Sequence, residues 1–316
     1  MNKSNDLMNL LKTFDWKIRC TLYLTIGIAV LMVFTGCRRR GIDSIVIRGS
    51  DTEVNLALRL AETYMDHDPD VSIAVTGGGS GTGIAALLNK RTDIANSSRE
   101  FKPVELEMAE ERGIELVPII FAVDALCFIV NENFPLDELT LGQVKGLFTG
   151  KIENWKEIGG PDKKVSLYGR QGNSGTFTFI QKKILEADYS LNMKQMNGNS
   201  QIVEGIKNDM AGIGYTGIGY AVHAGGKVTD GIKVLAIQTD DQDSPVSPVD
   251  PQNIANGSYR IVRPLYQYMD GRPEGKLKEF LLYELSEKGQ SIVSENGYFP
   301  ISEKHVSHNN KYLTNE

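Results

Sequence analysis

Three times along this chain a short run of glycine and hydroxyl residues separates a strand-like segment from a helix-like one. The runs are Gly49-Ser50-Asp51-Thr52, Gly77-Gly78-Gly79-Ser80-Gly81-Thr82-Gly83 and Gly172-Asn173-Ser174-Gly175-Thr176, the last preceded by Arg170. A helix start leaves backbone N–H groups unpaired and carries the positive end of the peptide dipoles. Glycine lets a ligand approach those amides closely, and Ser and Thr add hydroxyl donors. The combination suits an anion. N-capping explains any one run by itself. Three runs, one with an arginine four residues before its serine, point to a shared anion site. Asn96-Ser97-Ser98-Arg99 is a fourth candidate of the same kind.

Between these runs the pattern alternates. Ser44–Arg48, Val71–Val75, Asp93–Asn96, Leu116–Ile120 and Leu126–Val130 read as strands. Val54, Ala57, Leu58, Ala61 and Met65 follow helical spacing, Ile84, Leu87 and Leu88 begin a second helix, and Val104–Arg112 reads as a third. This order predicts an α/β fold with a largely parallel sheet. A second set of elements runs from Leu141 to about Ile237. Asp240–Gly257, polar and proline-bearing, predicts a surface loop. Gly275–Asn296 predicts helix, and the polar C-terminal tail, residues 302–316, is expected to fray. A length of 316 residues suits about two domains.

The first 36 residues differ in kind. Lys12, Lys17 and Arg19 precede an uncharged run of 17 residues, Cys20–Gly36. That is short of the roughly 20 that span a bilayer comfortably. A basic start, an apolar centre and small residues before a cysteine read as a secretory signal, residues 1–36. Phe34-Thr35-Gly36-Cys37 resembles a bacterial lipobox, so Cys37 is expected to be acylated and to become the new N-terminus. The other reading is an uncleaved anchor helix. Both place the body outside the cytoplasm, tethered to the membrane and facing the periplasm or cell exterior. Beyond residue 36 the chain keeps 30 of its 34 basic and 38 of its 40 acidic residues, a net charge of −8. That balance disfavours a nucleic-acid partner. Cys127 lies in the apolar run Ala125–Val130 and reads as an inert core thiol.

Sharper catalytic motifs are missing. The glycine run lacks the Lys-Ser/Thr ending of a P-loop. Gly212-Ile213-Gly214-Tyr215-Thr216-Gly217 matches G-x-G-x-x-G but has no clear strand before it, so a glycine-rich strand with close backbone packing is the better reading. No G-x-S-x-G elbow occurs. The four histidines, His67, His223, His305 and His308, stand away from the Gly/Ser runs, so no metal site is expected. Ser80 or Ser174 as a nucleophile lacks a His or Lys base. Donors without a base or nucleophile predict binding, not catalysis, and no cofactor.

Seven segments carry a family likeness: GSDT (49–52), TGGGSGTG (76–83), DIANSSR (93–99), LFTGKIENWKEIGG (147–160), GRQGNSGT (169–176), GIGYTGIGYA (212–221) and RPLYQY (263–268). In this order the chain resembles the phosphate-binding component (PstS-like) of bacterial phosphate ABC transporters. The resemblance implies the periplasmic-binding-protein fold, with two α/β lobes, a ligand cleft between them and a hinge crossed twice. Lobe 1 would be 42–122 plus 261–301, and lobe 2 would be 123–260. It implies that Thr52, Ser80 and Ser98 bind phosphate from lobe 1, and that Arg170, Ser174, Gly175 and Thr176 bind it from lobe 2. Gly79, Asp51 and Arg99 are further candidates, Arg99 from the opposite wall or else as a structural ion pair. Some family members carry an Asp where this chain has Ser98, which leaves Asp51, Glu53 and Asp124 as carboxylates to accept the ligand's proton. The implied partners are inorganic phosphate, the permease subunits of an ABC transporter and, through Cys37, the membrane, with the protein a monomer. An exported oxyanion sensor or scaffold, or a binder of another tetrahedral oxyanion, is the alternative.

Overall fold

A computed structural model of the chain describes residues 43–314. The expected export segment 1–36 and Cys37 lie outside the described residues. In chain order the first part comprises β1 (Asp43–Gly49), α1 (Val54–His67), β2 (Val71–Thr76), α2 (Ser80–Leu88), β3 (Ile94–Ser97), α3 (Pro103–Glu111) and β4 (Leu116–Asn131). The second part comprises β5 (Glu138–Thr140), α4 (Leu141–Thr149), β6 (Ser166–Arg170), α5 (Gly175–Phe179), β7 (Lys194–Met196), α6 (Asn199–Lys207), β8 (Gly212–Gly217), α7 (Ile218–Ala221), β9 (Ile232–Val234), β10 (Ala236–Gln238) and α8 (Pro251–Ala255). The chain then returns through β11 (Val262–Asp270), α9 (Gly275–Leu285), α10 (Glu287–Glu295) and α11 (Glu303–Leu313).

One strand organises the whole. β4 is 16 residues long, and the two strands expected at 116–120 and 126–130 are its two ends. From Leu116 to Ala125 it pairs with β11, and from Leu126 to Val130 with β8. The sheet therefore runs β2-β1-β3-β11-β4-β8-β6-β7, with β9 also on β4. Its wings are parallel, built from strand–helix–strand crossovers: β1 with β2 and β3, and β6 with β7 and β8. Its centre is antiparallel, through β3–β11, β11–β4 and β4–β8. The expectation of a largely parallel sheet is thus corrected. The chain must leave the first half and come back, and the outgoing and returning strands run in opposite directions.

Each half has its own apolar packing. Ile45, Ile47, Ile94, Ile119 and Phe280 are buried together in the first, and Phe128, Phe148, Trp155, Ile202 and Tyr215 in the second. The buried stripe of α1 is Leu56, Ala57, Leu60, Ala61 and Tyr64. It is rotated from the one expected, and Leu58 is left exposed. α4 begins on a reciprocal cap: Gln143 N–H donates to Thr140 Oγ1 at 3.1 Å and the Thr140 N–H to Gln143 Oε1 at 2.8 Å. The G-x-G-x-x-G segment is β8, and a Cβ at Gly214 would press on Ile202, as close backbone packing requires.

The C-terminal expectations divide. The helical stretch 275–296 is broken at Ser286, which closes α9 and caps α10 by accepting from Gly289 N. Asp240–Gly257 is irregular apart from α8 and a bridge from Ile237 to Val246. The tail does not fray. Residues 303–313 form α11, Leu313 joins the core of Val117 and Phe280, and buried Asn309 binds both the N–H and the C=O of Ile120. One amide side chain satisfies both main-chain groups of a β4 residue at the bulge in the β4–β11 pairing. Among the described residues no helix is long and apolar enough to cross a membrane.

Candidate functional site

The glycine-hydroxyl runs arise where parallel strands end and helices begin, and the topology brings those ends face to face. β1 ends at Gly49 with φ 143°, where a Cβ would strike the Asn96 carbonyl. Only glycine fits there. α2 starts at Ser80 after Gly79, whose φ of 109° also favours glycine. β3 delivers Ser98 beside it. From the second half, Ser174 caps α5, its Oγ accepting from the N–H of Thr176 and of Phe177.

These ends meet in a buried knot. Thr52 Oγ1 and Thr176 Oγ1 lie 2.9 Å apart across the two halves. Ser80 Oγ and Ser98 Oγ are 3.3 Å apart, and the Ser98 N–H donates to Ser80 Oγ at 3.1 Å. Ser50 Oγ donates to Ser98 Oγ at 3.1 Å. Gly175 sits against Ser80 and Ser98 so tightly that a Cβ would collide with both hydroxyls. The expected residues Thr52, Ser80, Ser98, Gly175 and Thr176 are therefore one cluster. Ser174 stands behind it as the cap that orients Gly175 and Thr176.

Arg170 is nearly fully buried beside this knot. Its Nη1 donates to Asp51 Oδ2 at 3.1 Å and its Nη2 to the Asn197 carbonyl at 2.8 Å, while Nε has no partner. Burial pulls the guanidinium below its ordinary range, and the Asp51 charge works against that pull. Asp51 also accepts from Asn199 N and Nδ2, both at 2.8 Å, and the Tyr220 hydroxyl donates to its carbonyl at 2.6 Å. Asp51 is thus a first-half carboxylate gripped by second-half donors. Two further bonds cross nearby: Gly81 N–H to the Asn173 carbonyl at 2.9 Å, and Asn173 Nδ2 to the Gly78 carbonyl at 2.9 Å. A Cβ on Gly79 would meet the same asparagine. The halves are closed on one another.

Arg99 makes no hydrogen bond to the knot's hydroxyls. Its Nη atoms form a two-pronged ion pair with Glu105 at 2.7 and 2.8 Å, so it is the structural pair of the two readings. A different arginine reaches the knot. Arg263, on β11, donates through Nη2 to Thr176 Oγ1 at 2.9 Å and to Thr52 Oγ1 at 3.3 Å. Its Nε and Nη2 also hold Asp124 Oδ2 at 3.0 and 2.8 Å. Arg263 and Asp124 stand opposite each other in the β11–β4 register, where the chain crosses between halves. Arg263 opens the RPLYQY segment, but nothing local in the sequence marks it as a partner of the knot. Of the three candidate acceptors, Asp51 is engaged with Arg170 and Asp124 with Arg263. Glu53 is wholly buried, and burial pushes its carboxyl well up against the opposing pull of Ser50 and Arg263. Among the described residues no group of three His, Cys, Asp or Glu could hold a metal ion.

Two α/β halves joined by a pair of antiparallel strands, with a polar cluster shared between them, define a two-lobed periplasmic-binding-protein fold. The sequence matches the PBP superfamily domain over residues 38–288. It is 34% identical over 270 residues to a phosphate-binding protein PstS of Bacillus subtilis, covering 84% of this chain and 83% of that one. A phosphate-binding protein PstS of Pseudomonas aeruginosa is 31% identical over 274 residues, with 81% and 82% covered. A crystal structure from Clostridium perfringens, described as a putative phosphate ABC transporter substrate-binding protein with bound phosphate, superposes with a TM-score of 0.72 at 28% identity, over 82% of this chain and 100% of that one. The chain belongs to the PBP superfamily and, within it, to the PstS-like phosphate-binding proteins.

Proposed function

We propose that this protein binds inorganic phosphate outside the cytoplasm and delivers it to an ABC transporter. The observation that carries the reading is the buried knot of Thr52, Ser80, Ser98, Gly175 and Thr176, drawn from both halves and backed by Arg170 and Arg263. Relatives named phosphate-binding protein PstS and the Clostridium perfringens neighbour with bound phosphate support it.

Hydroxyls and amides surround a tetrahedral oxyanion from several directions, and a guanidinium matches two of its oxygens at once. Micromolar affinity needs only about −8 kcal/mol, which a handful of charge-assisted bonds in a dry cleft supplies. The anion enters while the halves are apart. Donors of lobe 1 (42–122 and 261–301) and lobe 2 (123–260) then share it, and those shared contacts favour the closed state. Asp51–Arg170 and Thr52–Thr176 form in the same movement. The closed protein docks on a permease, which reopens it. It performs no chemistry on its ligand. Export by residues 1–36, acylation of Cys37 and a monomeric body complete the proposal.

Calorimetry tests it on the full chain stripped of ligand by unfolding and refolding. Phosphate is expected to bind 1:1 at micromolar concentration or below, with sulfate weaker. Heat from molybdate or sulfate alone would keep the fold and overturn the ligand. Palmitate labelling abolished by Cys37→Ala tests the anchor.

A further inference from the structure

One flank of the cleft opens into a cavity of about 440 Å3. Its inner wall includes Ser98 and Arg263, both members of the buried knot. Its sides carry Arg99 and Lys102 from the first half, and Lys182 and Lys183 from the second. Lys182 and Lys183 are exposed and Lys102 is half-buried. Glu100 also lines the cavity, its Oε1 accepting from the Tyr266 hydroxyl at 3.4 Å, but among the described residues no carboxylate lies within ion-pair distance of any of these three lysines. Arg99 gives its Nη atoms to Glu105, but its buried Nε has no partner. Burial first, and the Arg99 charge second, hold Lys102 below the usual lysine range, with Lys182 adding to the effect across the cleft and Glu105 opposing it.

Cations from both halves therefore converge on one mouth. Left alone they repel each other across the opening, whereas an anion between them turns that repulsion into attraction. The same mouth answers a mismatch in overall charge. The body carries a net charge of −8 beyond residue 36, so its far field pushes anions away. Salt screens that field beyond a Debye length of about 8 Å, while a concave lining in which Arg99, Lys102, Lys182, Lys183 and Arg263 face the single carboxylate of Glu100 concentrates anions locally.

We propose that this cavity is an outer anion site, in which Lys102, Lys182 and Lys183 capture a tetrahedral oxyanion and pass it to the wall of Ser98 and Arg263. The inference rests on the phosphate reading above and assigns the access route to that site. The lysines act on arrival. They make no contact with the knot, so they set the association rate rather than the lifetime of the closed complex.

The test is stopped-flow uptake of inorganic phosphate by the full chain, followed by intrinsic fluorescence, with equilibrium affinity read separately by calorimetry. The triple variant Lys102→Gln/Lys182→Gln/Lys183→Gln is expected to lower the association rate constant about tenfold or more at low ionic strength. Its dissociation rate should stay within about twofold of the unsubstituted chain, and the gap in association should close at high salt. Lys182→Glu alone should slow association further than Lys182→Gln. Replacing Lys163, Lys164 and Lys227, three exposed lysines outside the cavity lining, changes net charge equally and should have little effect. An unchanged association rate in the cavity triple overturns the proposal, as does a loss that persists at high salt or is matched by the control triple. Phosphate binding with unchanged kinetics overturns the proposal alone, whereas no phosphate binding by the unsubstituted chain overturns the phosphate reading beneath it as well.

Discussion

Two arginine–aspartate pairs stand within the same cleft and do different work. Arg263–Asp124 joins facing residues of β11 and β4, with side chains 1% and 0% exposed. Both strands belong to the crossing, so the pair persists whether the halves are open or closed. Arg170–Asp51 joins one half to the other, with Arg170 1% and Asp51 21% exposed. It exists only when the halves meet. The first pair is part of the scaffold, and the Arg263 Nη2 that holds Asp124 also donates to Thr52 and Thr176. In the proposed cycle the second is a latch, made when the halves close on the ligand and broken when they part. Similar chemistry therefore serves stability in one place and conformational selection in the other, and topology alone decides which.

The largest effect should come from breaking the scaffold pair. Arg263→Ala leaves the Asp124 carboxylate buried without its counter-charge and should cost about 3–5 kcal/mol of folding stability, read from urea unfolding. A loss under about 1 kcal/mol would place the pair outside the load the crossing carries.

A second test moves stability without touching either pair. Burial pushes the Glu284 carboxyl up to about 8, with Gln267 Nε2 donating to it at 3.2 Å in opposition. An unfolded chain releases that proton near pH 4.5. Below that pH both states hold it and its contribution is fully present. As pH rises towards about 8 only the unfolded state gives it up, so stability declines across this window and then levels off. Glu284→Gln should flatten the decline between pH 5 and pH 8.5 and leave phosphate affinity unchanged. An identical slope in the variant would contradict the assignment.

The latch should show the reverse pattern. Arg170→Ala is expected to weaken phosphate binding on the order of 100-fold in calorimetry, the scale of a lost bond to a charged ligand. Its stability should fall by only about 1 kcal/mol, because Asp51 keeps solvent and both Asn199 donors. A stability loss as large as that of Arg263→Ala would erase the distinction between the pairs. Gly175→Ala should have the smallest effect, about tenfold in affinity or ~1.4 kcal/mol, since its methyl meets Ser80 and Ser98 only on closing. Ligand-free stability should not change.

These contrasts also mark what the sequence made legible. Thr52, Ser80, Ser98, Gly175 and Thr176 come together in the structure, and their grouping was legible because a glycine-hydroxyl run at a helix start is written within a few consecutive residues. Arg263 was not, since its place depends on the returning strand coming to lie beside Asp124, 139 positions earlier. The sequence left Arg99 between a cleft wall and an ion pair, and Glu105, six residues on, engages it through the turn into α3. The α/β alternation was legible, but the antiparallel centre was not, for pairing direction is set by the path between halves. The tail was misread because polar composition hides a helix anchored by Asn309 and Leu313.

The central claim is that phosphate closes the cleft that Asp51 and Arg170 latch. Small-angle X-ray scattering of the stripped protein tests it most directly, before and after saturation with phosphate as defined by calorimetry. The radius of gyration is expected to fall with phosphate in the unsubstituted chain and to change less in Arg170→Ala at the same saturation. An unchanged radius of gyration at proven saturation would contradict it.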